Sequence, residues 1–243
     1  MSSSTWTPHA VASEAVPGRL DVWRAVEAQH VVATRALVDS LTEQETLEAI
    51  LERSKPPIPS GAVGHDYLLY TPFRYPPLHH GSRFRAFADP GVWYGSEATR
   101  TCCAELGYWR WRFVTDSSGL KRLDGVAHTV FQARAQGPTI DLRTKPFVRD
   151  KRLWCSKDDY SGCQALARSG RTAEIRIIRY ESVRDPEHGG CAAVLDCRAF
   201  SGNGSVRRRQ TWFLTVDRER ASWVRGDTSN AEAYEFVFQP SPG

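Results

Sequence analysis

The chain has 243 residues, 41% of them hydrophobic and 25% charged, with a formal net charge of +4. That length and composition suit one large or two small globular domains with a sizeable core. No apolar run approaches the ~20 residues of a membrane-spanning helix, and the modest, dispersed positive charge is compatible with an anionic ligand, an acidic partner or nucleic acid without selecting among them. The N-terminus lacks a charged segment followed by an apolar one, so no secretory signal is expected and a cytoplasmic location is. The six cysteines (102, 103, 155, 163, 191 and 197) form no C-x-x-C pair and no zinc spacing. They read as free thiols, with Cys102 and Cys103 as packing residues.

Residues 1–17, rich in Ser, Thr, Ala and Pro, read as a loose terminus. Residues 20–38 read as a helix, with Val22, Ala25, Val26 and Val31 at helical intervals. Thr42-Glu43-Gln44-Glu45 reads as a capping box opening a second helix, which carries Leu47, Ile50 and Leu51 on one side and stops near Pro56-Pro57. Residues 1–62 are thus expected to be a flexible terminus with a helical extension, and residues 63–243 the main domain. After a Pro/Gly-rich connection, residues 67–70 form a strand candidate leading to Phe73 and Arg74. Prolines then force a loop containing His79-His80, whose spacing fits no metal site.

Residues 74–105 concentrate the chemistry. Two arginines and Gly81-Ser82 lie in a loop, an aromatic strand follows at 92–94, and a helix is expected with Ser96 as N-cap and Glu97 in its first turn. Ala98, Cys102 and Trp109 share one helical face, and Glu105 falls on it. A carboxylate on a core-facing stripe is costly unless a partner satisfies it, and an arginine of the preceding loop is the expected partner. Such a pair serves a site or plain structure, because perturbed acids cluster at sites without being confined to them.

Trp109, Trp111 and Phe113 are expected in the core or at a helix–sheet contact, rather than as a base-stacking platform. Strands are predicted at 126–133 and 138–142, a polar turn region at 154–160 and a helix at 161–170. The strand at 174–180 runs into Glu181-Ser182-Val183-Arg184-Asp185-Pro186. Ser182 at its exit is well placed for a site and equally ordinary as a turn residue. Further strands are predicted at 191–195, 210–216, 222–225 and 232–238. Arg207-Arg208-Arg209 reads as a solvated edge, with an anion-binding or nucleic-acid patch as the alternative. The sum is an α+β fold: mostly antiparallel sheets with a central helix and an N-terminal helical extension. The chain has no G-x-S-x-G, Walker A, G-x-G-x-x-G after a strand or H-E-x-x-H. A phosphate-bearing ligand would therefore be held by guanidinium groups, whose planar fork matches phosphate oxygens.

Taken in order, Phe73-Arg74-Tyr75, Gly81-Ser82-Arg83-Phe84, Trp93-Tyr94-Gly95, Ala104-Glu105 and Glu181-Ser182-Val183-Arg184 resemble the RES domain over roughly residues 65–200. The eleven-residue steps from Arg83 to Tyr94 and from Tyr94 to Glu105 fit that family's pattern. The resemblance implies a fold similar to ADP-ribosyltransferase toxins. It also implies the toxin of a RES–Xre toxin–antitoxin pair, a group whose characterised members consume NAD. Carried over by position, Arg83, Glu105 and Ser182 match the Arg, Glu and Ser of the family's name. Tyr94 matches an aromatic residue at the nicotinamide site, and Arg74, with Tyr75 beside it, a second upstream arginine. The implied reaction is cleavage of the nicotinamide–ribose bond of NAD with water or phosphate as acceptor. NAD is then the substrate, with no further cofactor and no metal. An Xre-like antitoxin is the implied partner, with no membrane or direct nucleic-acid contact, and a homo-oligomer is left open. Alternatives are ADP-ribosyl transfer to a specific protein and, against the absence of a helix-turn-helix or RNA-binding signature, a nucleic-acid-binding module.

Overall fold

The computed structural model describes residues 6–28, 39–75, 81–200, 204–226 and 232–239; His79-His80 lie outside them. The elements in chain order are α1 (Pro8–Ser13), β1 (Val16–Glu27), α2 (Leu41–Ser54), α3 (Tyr67–Arg74), β2 (Trp93–Ser96), α4 (Thr99–Asp116) and β3 (Leu123–Asp141). They continue with α5 (Lys151–Trp154), α6 (Ser161–Thr172), β4 (Ile177–Glu181), β5 (Gly190–Val194), β6 (Arg207–Val216), β7 (Arg220–Arg225) and β8 (Ala233–Val237).

The sheet is organised on β3, which runs unbroken where the sequence suggested two strands. One edge of β3 pairs with β1 through twelve registered residue pairs, from Val16↔Thr139 to Glu27↔His128. Its other edge takes β6 along residues 123–132 and β4 at residues 139–141. The strand order is β1-β2-β5-β4-β3-β6-β7-β8, and the extra β1–β3 pairing closes five of these strands into a ring. β6, β7 and β8 continue outward as a wing. Every pairing is antiparallel except β3–β4. The central helix α4 lies across β1, β2 and the wing. The α+β architecture expected from the sequence is therefore the one observed.

Five local readings are corrected. Residues 20–38 are not a helix over their described part: residues 16–27 form β1, and residues 29–38 lie outside the described residues. Val22 is buried against Trp93 and Phe131 on one face, while Trp23 packs with the α4 cluster on the other. A strand covered on both faces loses its polar–apolar alternation, which removes the strand signal. The terminus is not loose from residue 6 onward. Thr7 Oγ1 caps α1 by accepting from Ala10 N at 3.3 Å, and Val11 is fully buried. Trp6 stacks on Phe147 at 4.2 Å and donates its indole N–H to Asp150 at 2.8 Å.

Residues 67–70 open the helix α3 rather than a strand, because Asp66 accepts Leu68 N at 3.0 Å as its N-cap. A short apolar run fits either element, and the cap decides between them. The cap of α2 lies two residues earlier than read: Ser40 Oγ accepts Glu43 N at 3.1 Å, while the Glu43 carboxylate accepts Asp39 N at 3.0 Å. Ser96 belongs to β2, so α4 starts at Thr99 with no side-chain cap. All six cysteines are free. Among the described residues, no helix is long and apolar enough to cross a membrane.

Candidate active site

The α4 face predicted to carry Glu105 meets the core only in part: Cys102 is buried in it, with Leu106 packed alongside. Cys102, Glu105, Leu106 and Trp109 also form one wall of a cavity of about 420 Å³. β1 supplies Trp23 and Arg24, the loop before β2 supplies Ser82 and Arg83, and β2 supplies Tyr94. Tyr160, Tyr180 and Arg184 complete the far side.

Glu105 is held from behind. Ser182 is fully buried, and its Oγ lies 2.6 Å from Glu105 Oε1. The same Oγ accepts the amides of Asp185 at 2.9 Å and Arg184 at 3.2 Å. With both lone pairs engaged, the hydroxyl proton points to the carboxylate. Asp185 fixes this turn to α4: its carboxylate pairs with Arg100 and accepts Thr101 Oγ1 at 2.8 Å. Gly189 permits that approach, since a Cβ there would meet Thr101 Oγ1 at 2.0 Å. Burial raises the Glu105 pKa, and the Ser182 hydrogen bond and the charges of Arg83 and Arg184 oppose the rise.

Arg83 donates to the carbonyls of Trp154 at 2.8 Å and Ser156 at 2.9 Å, and its guanidinium lies 4.8 Å from the Tyr160 ring centre. The Tyr94 hydroxyl accepts Phe84 N at 3.0 Å and lies 2.7 Å from Ser82 Oγ. It thereby locks the arginine-bearing loop onto β2. Burial pushes the Tyr94 phenol up to about 12, so it stays neutral and presents a ring rather than a charge. Arg184 donates to the Lys157 carbonyl at 2.6 Å and to the Tyr160 hydroxyl at 3.2 Å.

Arg83, Tyr94 and Glu105 therefore meet in one cavity, with Ser182 behind Glu105 rather than in the wall. Arg74 and Tyr75 are not brought there. Because α3 is helical, it turns Arg74 towards α2, where Nη2 pairs with Glu52 at 2.8 Å and Nε donates to the Pro56 carbonyl at 2.6 Å. The Tyr75 ring lies beneath that guanidinium, 5.4 Å away.

Among the wall residues missed in the sequence, with Trp23 and Tyr160, is Arg24. Its Nη1 donates to the Tyr94 carbonyl at 2.9 Å, its guanidinium lies 5.2 Å from the Trp93 ring centre, and its Nε is buried without a partner. Burial lowers its pKa to about 10. A lone cation inside Val22-Trp23-Arg24-Ala25-Val26 was the available signal, hidden by the helix assignment. None of the three wall arginines pairs with a carboxylate among the described residues, and Glu105 is the only acid in the wall. Such an excess of guanidinium over carboxylate suits a ligand with at least two negative charges. Among the described residues no cluster of His, Cys, Asp and Glu could hold a metal. Arg207–Arg209 form an exposed strand start, with Arg209 paired to Asp66 at 2.7 Å.

The RES domain model matches residues 58–217. No curated protein matches the chain. A solved structure described as the M. tuberculosis MbcT–MbcA toxin–antitoxin complex contains a chain of similar fold. Its TM-score is 0.50 at 14% identity, over 85% of this chain and 91% of that one.

Proposed function

The chain belongs to the RES domain family, and from that premise we propose that it is the NAD-consuming toxin of a toxin–antitoxin pair, cleaving the nicotinamide–ribose bond with water or phosphate as acceptor. One observation carries the reading: a recessed carboxylate of raised pKa shares a 420 Å³ cavity with three arginines that have no carboxylate partner among the described residues. NAD offers the complement, a dianionic pyrophosphate beside a ribose that becomes positive as its bond to nicotinamide breaks.

In that step the bonding pair leaves with the nicotinamide nitrogen, so the base departs neutral and the ribose takes on oxocarbenium character. Glu105 is the one carboxylate among the described wall residues, placed to stabilise this charge as carboxylates do in glycoside hydrolysis. Arg24 and Arg83 hold the pyrophosphate, and the Tyr94 ring flanks the nicotinamide. Ser182 orients the carboxylate. Water then yields ADP-ribose and a proton, while inorganic phosphate yields ADP-ribose-1″-phosphate. An Xre-like antitoxin is the proposed partner, by analogy with the toxin–antitoxin complex of the structural neighbour.

The test is incubation of purified protein with NAD, with and without phosphate, and separation of the products. Free nicotinamide is expected, and its companion product names the acceptor. No nicotinamide release under either condition sinks the reading.

Ser182→Ala supplies a sharper check. Glu105 must be ionised to act, so activity falls as pH drops through its raised pKa. Removing the Ser182 hydroxyl deletes a contact that lowers that pKa. The acid limb of the kcat profile is expected to move to higher pH, and an unmoved limb argues against Ser182 tuning Glu105.

A further inference from the structure

Trp109 stands apart from its neighbours on α4. Trp111 is 2% exposed and belongs to the core, as the sequence suggested, but Trp109 is 52% exposed. Exposed apolar side chains scattered singly need no explanation. Phe113, also on α4 and 57% exposed, is such a case. Trp109 differs because it borders the cavity, one helical turn beyond Glu105 and ~6 Å along the axis.

The surroundings hold its indole as a platform. Tyr108 meets it edge-on, with ring centres 5.4 Å apart and planes at 79°. The Arg184 guanidinium lies 3.8 Å from the Tyr108 ring centre and 5.8 Å from that of Trp109. Hydrogen bonds to the Lys157 carbonyl and the Tyr160 hydroxyl pin this guanidinium. This end of the cavity thus offers an indole and a fixed planar cation, with no carboxylate among the described wall residues other than Glu105. Aromatic and guanidinium planes stack on nucleobases without needing to read their edges.

We propose that Trp109 and Arg184 form a stacking subsite for the purine ring of a dinucleotide. The inference rests on the reading of the cavity as an NAD site and deepens it. The ribose to be cleaved lies at Glu105, the pyrophosphate lies on Arg24 and Arg83, and the distal base lies against Trp109 and Arg184. The site then prefers purine dinucleotides to nicotinamide mononucleotide, which carries the same scissile bond but no purine.

Trp109→Ala and Trp109→Tyr, in the full-length chain, test this by two readouts. AMP affinity is measured by calorimetry, independently of turnover. KM and kcat are measured with NAD and with nicotinamide mononucleotide. Trp109→Ala is expected to weaken AMP binding and raise KM for NAD by roughly tenfold or more, the scale of a lost base stack. The effect on kcat should be much smaller, the penalty with the mononucleotide should be within twofold, and Trp109→Tyr should restore most of the loss. Unchanged AMP affinity and KM in Trp109→Ala would overturn the subsite even if NAD is cleaved. AMP binding that weakens in Trp109→Ala, in a protein that never cleaves NAD, would support the subsite and refute the cleavage reading alone.

Discussion

Glu105→Gln is expected to lower NAD cleavage by at least ~100-fold, the scale of a lost transition-state electrostatic contact, in a protein that unfolds at no lower temperature than the parent. The two halves of this result have one cause. Glu105 is an acid whose folded pKa is raised, chiefly by burial. Between its unfolded value, near 4.5, and its folded value, the native state holds a proton that the unfolded chain has released. Stability therefore falls as pH rises through that window, and above it the whole cost of the buried charge is present. The amide keeps the shape of the side chain and an oxygen for the Ser182 hydroxyl, and removes the charge. A purely structural Glu105 would give the reverse, a destabilised protein with no specific effect on turnover. Thermal unfolding at pH 7.5 and nicotinamide release together separate the cases. Cleavage within tenfold of the parent would remove Glu105 from the mechanism.

What the sequence made legible, and what it hid, divides by the range of the interactions involved. Glu105 was readable because helical spacing is local: a carboxylate on the stripe of Cys102 and Trp109 marks itself. Ser182 followed from its position just after a strong strand. That the stripe lines a cavity was not readable, since the opposite wall comes from β1, about eighty residues upstream of Glu105. The pairing of β1 with β3 joins segments more than a hundred residues apart, and nothing within residues 16–27 announces it. Burial of the adjacent Val22 and Trp23 on opposite faces of that strand then interrupted its alternation and concealed Arg24. Arg74 was misplaced for a related reason: Tyr67-Leu68-Leu69-Tyr70 fits a buried strand as well as a helix, and the choice decides where the following arginine points. From the sequence Trp109 reads as a packing residue, because aromatic clusters usually pack. Its exposure follows from the wall facing it, which only the tertiary structure supplies.

Arg24→Met is the second substitution with a large expected effect, and its value lies in opposed signs. An arginine kept for stability would be expected to satisfy its guanidinium with a carboxylate or several carbonyls. Arg24 has one carbonyl, that of Tyr94 at 2.9 Å, the face of Trp93, and a buried Nε without a partner. Burial lowers its pKa to about 10, which means that folding disfavours its charge. A cation held at such a cost becomes useful when an anion arrives, because a hydrogen bond to a charged group in a recessed site is worth about 1.5–3 kcal/mol. Methionine fills similar space without charge and tolerates irregular packing. The variant is therefore expected to unfold at the parental temperature or above it. KM for NAD should rise by at least ~10-fold, as the same 1.5–3 kcal/mol implies. A variant that unfolds several degrees lower with KM unchanged would make Arg24 a structural brace between β1 and β2 and take it out of the binding site.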